Sequence, residues 1–273
     1  VPTRKSEAGA ELVVSPDLET LSREAARRFL TLAQACDPFS VALAGGSTPR
    51  RLYETLAAAP FREQVPWERV HVFWGDERAV PPEHPGSNYR MARETLLAHV
   101  PLPPHNVHRV RGELEPGDAA RAYADELRAF FGARWPAFDL VLLGMGDDGH
   151  TASLFPGSAM LTTGGSAMLT TGGSAMLTTG GSEALRETTQ PVLGVTAHYQ
   201  DRPARRVTLT PPAINAARNV FFLVSGAGKA QTLRAVLEGP YQPDLLPAQI
   251  VRPVDGHVLW LVDAAAAADL CTG

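Results

Sequence analysis

Lysine is almost absent from this chain: of 25 basic residues all but Lys5 and Lys229 are arginine. Lys5 falls in a polar stretch near the start, which leaves Lys229 as the one lysine in the body of the sequence. In a chain that otherwise chooses arginine, that exception marks Lys229 for a specific role, with a solvated surface lysine as the plain alternative. Cysteine is equally scarce. Cys36 and Cys271 are too few for a disulfide framework and lack metal-site spacing. No apolar run reaches the ~18 residues of a membrane span. The first residues, "VPTRKSEAGAELVV", hold no apolar core of signal-peptide length, so a cytoplasmic protein is the expectation. A net charge of −4 without any basic stripe argues against a nucleic-acid surface. A small anionic ligand stays open, provided that cations are placed locally. No Cys–His–Asp set and no G-x-S-x-G elbow occur, and His71, His84, His99, His105, His108, His198 and His257 show no metal-like pairing.

What is present is a 273-residue chain, 44% hydrophobic, long enough for one large α/β domain or two small ones. Short apolar runs predict strands at Leu12–Ser15, Ser40–Ala44, Val70–Trp74, Phe138–Leu143, Val192–Thr196, Val207–Thr210, Val220–Val224 and Val258–Val262. Amphipathic stretches between them predict helices at Leu18–Ala35, Pro49–Ala58, Asn88–His99, Ala119–Trp135 and Lys229–Leu237. Several strands ("VALA", "DLVLLG", "VFFLV") are apolar throughout, as strands covered on both faces are. The expected fold is α/β and doubly wound, with a mainly parallel sheet and helices on both faces. No Pro/Gly/Ser-rich linker divides the chain. "GSAMLTTG" repeats three times over Gly157–Gly180, without a charged residue and with Gly-Gly breaking every unit. Such an array cannot build its own core and reads as a loop inserted into a single domain spanning 1–273.

In sheets of this kind ligands bind beyond the carboxyl ends of strands, and three motifs fall there. In "SVALAGGSTPRRLYETL", Gly45 and Gly46 make a tight turn and Ser47–Thr48 precede Pro49. Thr48 is the expected N-cap, Pro49 the first helical residue, and the free N–H groups and hydroxyls there suit an anion. Simple helix capping is the competing reading. In "VHVFWGDERAVP", a strand delivers Asp76, Glu77 and Arg78. Asp76 and Arg78 can orient sugar hydroxyls and a phosphate, or belong to a surface charge cluster. In "FDLVLLGMGDDGHTASLFP", a loop with Gly144, Gly146 and Gly149 ends at His150, where an imidazole is placed for acid–base work, with Asp147 or Asp148 to orient it or the substrate. "GMGDDG" has the letters of a dinucleotide fingerprint, but "HTASLFP" follows where a helix belongs.

Taken in order, "GGSTP", "WGDERAVP", "SNYRMARETLL", "DLVLLGMGDDGHTASLFPGS", "RVTLTPPAINAARNVFFLVSGAGKAQTL" and "LWLVDAAAA" resemble the 6-phosphogluconolactonase family over essentially Glu11 to Asp269, the array apart. The resemblance implies the sandwich fold shared with sugar-phosphate isomerases and the hydrolysis of 6-phospho-D-glucono-1,5-lactone without metal or organic cofactor. It implies His150 as general base, Asp76 near the sugar or His150, and Gly45, Gly46, Ser47, Thr48, Arg78, Gly149 and Lys229 around the substrate and its phosphate. The partner expected is this small phosphosugar lactone, met by a monomer. One departure is "AHYQDRPARR", which stands where relatives carry a Lys/Pro-rich turn. Arg202, Arg205 and Arg206 bring charge there without any being assigned as a ligand. Two other readings are a glucosamine-6-phosphate-type isomerase/deaminase and a non-catalytic sugar-phosphate sensor. Deaminases follow the histidine with a run containing a catalytic Glu, whereas "TASLFP" follows His150 and holds no acid.

Overall fold

The computed structural model describes residues 3–5, 11–157, 178–180 and 182–271. Its strands, in chain order, are β1 (Thr3–Lys5), β2 (Glu11–Ser15), β3 (Phe39–Leu43), β4 (Val70–Trp74), β5 (Asp76–Arg78), β6 (Leu140–Leu143), β7 (Thr178–Gly180), β8 (Val192–Thr196), β9 (Arg205–Leu209), β10 (Asn219–Val224) and β11 (His257–Asp263). The helices are α1 (Leu18–Ala35), α2 (Ser47–Leu56), α3 (Phe61–Gln64), α4 (Asn88–Ala92), α5 (Pro116–Phe131), α6 (Pro211–Asn215) and α7 (Ala230–Glu238). The main sheet has the order β1-β2-β11-β10-β6-β3-β4. It is parallel from β2 to β4, and β1 pairs antiparallel at its edge. The all-apolar β6 and β3, apolar but for Ser40, are buried at every residue. Layers cover both sides of β4: His71 and Phe73 meet Phe130 of α5, and Trp74 meets Tyr89 of α4. The expected doubly wound, mainly parallel sheet is therefore present.

A second, four-stranded sheet was not separated from the first by the sequence pattern. Its order is β5-β9-β8-β7, with β5–β9 and β8–β9 antiparallel. Val192–Thr196 and the region of Val207–Thr210 are strands as expected, but they belong to this sheet, which packs on α5. The short charged "DER" also pairs as a strand, through backbone bonds that its composition does not advertise. Residues 158–177 of the array lie outside the described residues, and the reading of that stretch as a loop goes with them. The array's last residues, Thr178–Gly180, form β7 and pair parallel to β8, supplying backbone partners to what is otherwise an open sheet edge.

From β3 the chain passes to β4 on one side, whereas β6 lies on the other side of β3. The carboxyl ends of β3 and β6 thus flank a topological switch point, where the loops diverge and leave a crevice. Two buried tyrosines fix the strand ends around it. The Tyr53 hydroxyl of α2 bonds both the N–H (2.9 Å) and the carbonyl (2.8 Å) of Ala44, just past β3. The Tyr123 hydroxyl of α5 does the same for Trp74 at the end of β4, at 2.7 and 3.0 Å. Burial pushes both phenols above their ordinary range, so they stay neutral.

Candidate active site

The first wall is the turn from β3 into α2. The helix begins at Ser47, two residues earlier than expected, with Gly46 rather than Thr48 as its cap. The reason is backbone geometry: Gly46 has φ 109°, a conformation open to glycine, and it turns the chain tightly enough for Ser47 to start the helix. Pro49 then occupies the first turn, where its missing N–H removes no intrahelical bond. The positive end of the α2 dipole and the N–H groups of its first turn face the crevice.

The second wall is β5. Strand alternation sends Asp76 and Arg78 to one face and Glu77 to the other. Glu77 accepts the N–H groups of Arg78, Asn88 and Tyr89, each at 2.7 Å, and the Ser87 hydroxyl at 3.1 Å. It thereby ties the start of α4 to β5, with burial raising its carboxyl above the usual range despite those donors. On the other face, the Asp76 carboxylate accepts from Ser153 Oγ at 2.7 Å and from the Asn88 amide at 3.2 Å. Arg78 donates from Nη1 to Gly86 O at 2.8 Å.

The third wall is the loop after β6. Gly146 N–H bonds the His150 carbonyl at 2.8 Å and closes the loop into a turn. His150 Nδ1 lies 2.6 Å from Asp148 Oδ1, and a Cβ on residue 146 would sit 2.0 Å from that same nitrogen. Glycine at 146 is therefore a condition for the His150–Asp148 pair. Burial raises the Asp148 carboxyl most strongly, but the hydrogen bonds and charge of His150 outweigh it and hold the group below the usual carboxylate range. An ionised Asp148 accepts the Nδ1 proton and leaves Nε2 as the basic nitrogen. The ring is fixed from the sides as well: Phe155 stacks on it at 4.3 Å and Tyr199 meets it edge-on at 4.5 Å. Asp147, the neighbouring acid, pairs instead with Lys229 at the start of α7, and Thr232 bonds its carbonyl at 2.5 Å.

These walls enclose a cavity of about 150 Å³. Gly45, Gly46, Ser47, Thr48, Asp76, Arg78, His150 and Lys229 all line it, from four separate stretches of sequence. Gly149 lies behind the wall. Its N–H bonds Gly146 and its carbonyl accepts from Ala248, so its place is in forming the turn rather than in touching a ligand. Tyr199, Phe155 and Arg206 were not picked out as ligands or ring supports from sequence, although "TASLFP" and "AHYQDRPARR" placed them beside recognised motifs. Arg205 points away and pairs with Glu115, whereas Arg202 and Arg206 line the cavity. A wider groove of about 860 Å³ runs past the amino ends of β10 and β11, but none of the strand-end motifs reaches it. Among the described residues no group of three His, Cys, Asp or Glu is placed to hold a metal ion. Among the same residues no helix is long and apolar enough to cross a membrane.

The model of the family described as glucosamine-6-phosphate isomerases/6-phosphogluconolactonase matches residues 16–176 and 180–260. This chain belongs to that family of enzymes. A 6-phosphogluconolactonase from Synechocystis is 41% identical over 235 residues, covering 85% of this chain and 84% of its own. Among solved structures, 6-phosphogluconolactonase from Trypanosoma cruzi superposes with a TM-score of 0.78 at 28% identity, covering 99% of each chain. A monomeric glucosamine-6-phosphate deaminase superposes with a TM-score of 0.73 at 21% identity, covering 94% of this chain and 99% of its own, a likeness of fold alone.

Proposed function

We propose that this enzyme hydrolyses 6-phospho-D-glucono-1,5-lactone to 6-phosphogluconate, with His150 as general base. The observation that carries the reading is the pairing of His150 Nδ1 with Asp148 at 2.6 Å, in a cavity that also holds the start of α2, Arg78 and Lys229. A basic Nε2 takes a proton from water as its oxygen adds to C1 of the lactone. The tetrahedral intermediate collapses with cleavage of the C1–O5 bond, and O5 takes the proton from the imidazolium. The product is a ring-opened acid that loses its own proton to solvent. A lactone is an activated ester, so positioning, a base and a few donors to the carbonyl oxygen suffice. Arg78, Lys229 and the Gly46–Thr48 turn supply positive charge for a phosphate, and Asp76 offers its carboxylate to the sugar.

The deaminase reading lacks support at the residues after His150: Ser153 is buried and bonded to Asp76, and no acid stands in "TASLFP". The same reading has the enzyme acting as a monomer in the cytoplasm. The decisive assay follows lactone hydrolysis above its spontaneous rate with wild type and His150→Ala. General-base catalysis predicts a kcat loss of about 10²–10⁴-fold. Equal rates in the two proteins remove the base; no acceleration by wild type removes the enzymatic reading.

A further inference from the structure

Arg78 and Arg206 stand directly opposite each other in the antiparallel β5–β9 pair. Residues so paired project from the same face with Cβ atoms about 5 Å apart, and like charges there repel. Both side chains are buried, at 8% and 1% exposure, and both line the cavity of His150. Neither guanidinium is satisfied: Arg78 Nε and both Nε and Nη2 of Arg206 have no hydrogen-bond partner. The nearby carboxylate, Asp76, has already taken Ser153 and Asn88 as donors. Burial is the strongest influence on Arg206, and with the charges of Arg78 and Arg202 it outweighs Asp76 and holds the group below the usual guanidinium range. Beneath Arg206 lies the Phe155 ring, 5.2 Å from the guanidinium carbon, which leaves its plane without a polar partner on that side.

A buried charge whose donors are only partly met is costly, and a protein that keeps two such guanidiniums facing each other has a use for an anion between them. We propose that Arg206 is a specificity-determining residue that joins Arg78 in seating the substrate's phosphate dianion. The assignment of the anion rests on the lactonase reading; the anion site itself does not. Two guanidiniums match a dianion in charge and offer planar, paired donors to its oxygens. Lys229, by contrast, already has a partner in Asp147, so it adds to the seat by exchanging partners rather than by filling an unmet need.

The test compares wild type with Arg206→Met and Arg206→Lys, by thermal unfolding with and without inorganic phosphate and by kinetics on 6-phosphogluconolactone and unphosphorylated D-glucono-1,5-lactone. Removing a buried charge with unmet donors predicts that Arg206→Met melts no lower than wild type without phosphate, and that phosphate no longer raises its melting temperature. Its KM for the phosphorylated lactone rises about 10- to 100-fold, the worth of one or two charge-assisted bonds, while kcat moves far less. The unphosphorylated lactone turns over as in wild type. Arg206→Lys keeps the charge and recovers part of the phosphate response, which keeps the idea testable where the methionine variant does not fold. An undiminished phosphate response in both variants overturns the proposal. So does a fall in kcat on both lactones with KM unchanged, which places Arg206 at the carbonyl instead. A wild type that responds to phosphate but does not accelerate lactone hydrolysis sinks the lactonase reading and leaves the anion seat standing.

Discussion

Buried charge is held differently near the amino and the carboxyl ends of the main sheet's strands. At the amino ends, Asp139 is 4% exposed and saturated. Its Oδ2 accepts the Ser40 N–H at 2.9 Å and the Ser40 hydroxyl at 2.7 Å, and its Oδ1 pairs with Arg218. At the carboxyl ends, Arg78 and Arg206 are as deeply placed yet keep nitrogens without partners. Burial is the same in both places; satisfaction is not. A saturated buried group holds elements together, whereas an unsaturated one facing a cavity waits for something to bind.

The sharpest way to break this comparison is to neutralise one aspartate at each end. Asp148→Asn removes the carboxylate charge and lets an amide N–H face His150 Nδ1, which favours the other imidazole tautomer, and kcat should fall by about 100-fold or more, within the range for a positioned base. The melting temperature should hardly change, because the Asp148 side chain is one-third exposed. A kcat within threefold of wild type would show that the 2.6 Å contact does not matter to the chemistry.

Asp139→Ala should give the reverse. It strands the Ser40 N–H and hydroxyl in the core, and stability should drop by about 2–4 kcal/mol, read by denaturant unfolding. The kcat of the folded variant should stay close to wild type, since Asp139 touches nothing in the cavity. A stability loss below about 0.5 kcal/mol would dissolve the contrast between the two ends.

How much of this contrast was legible in the sequence depends on which chemistry each residue expresses locally. α1 over Leu18–Ala35 and strands β4 and β8 fall where periodicity places them, because each carries its own apolar pattern. His150, Arg78 and the Gly45–Thr48 turn were visible because strand ends and glycines mark them. The early start of α2 was hidden in one backbone angle at Gly46. Arg206 was less visible still: in "RVTLT" it reads as the polar entry to a strand. Its meaning comes from standing across from Arg78, 128 positions away, in a sheet that periodicity cannot separate from the first. Asp147 and Asp148 were equivalent candidates in sequence, and the turn closed by Gly146 decided between them.

The octapeptide array extends the contrast to a segment with no ionisable side chain. Excising Gly157–Gly180 joins "SLFP" to "GSEALRE" and removes β7 together with the Gly157 N–H bond to Asp244, 2.8 Å long. If the array takes no part in the chemistry, the deletion should leave kcat/KM within about tenfold, or ~1.4 kcal/mol, of the full chain. Shortening a loop changes closure entropy only by about 1 kcal/mol, so folding should survive. A larger fall in kcat/KM would make the array part of the site, seven residues after His150.

The smallest effect belongs to a half-buried polar cluster at the start of β4. His71 Nδ1 lies 3.1 Å from His108 Nε2, and His108 Nδ1 lies 2.7 Å from Glu126. Burial lowers the His71 pKa most, and the charges of His108 and His105 lower it further. A histidine whose folded pKa lies below its unfolded value binds its proton more readily in the unfolded chain, so unfolding takes up protons as pH falls. Its destabilisation is therefore absent above about pH 6.5 and grows as the pH drops through the unfolded value toward the folded one. His71→Phe keeps a ring beside Phe130, which His71 meets at 4.7 Å, and removes the titration. From about pH 7.5 to about pH 5 the wild-type melting temperature should fall roughly a degree further than that of the variant. Parallel melting curves across that window would mean that His71 is as free to take a proton in the fold as out of it, and that the cluster is already satisfied, as Asp139 is.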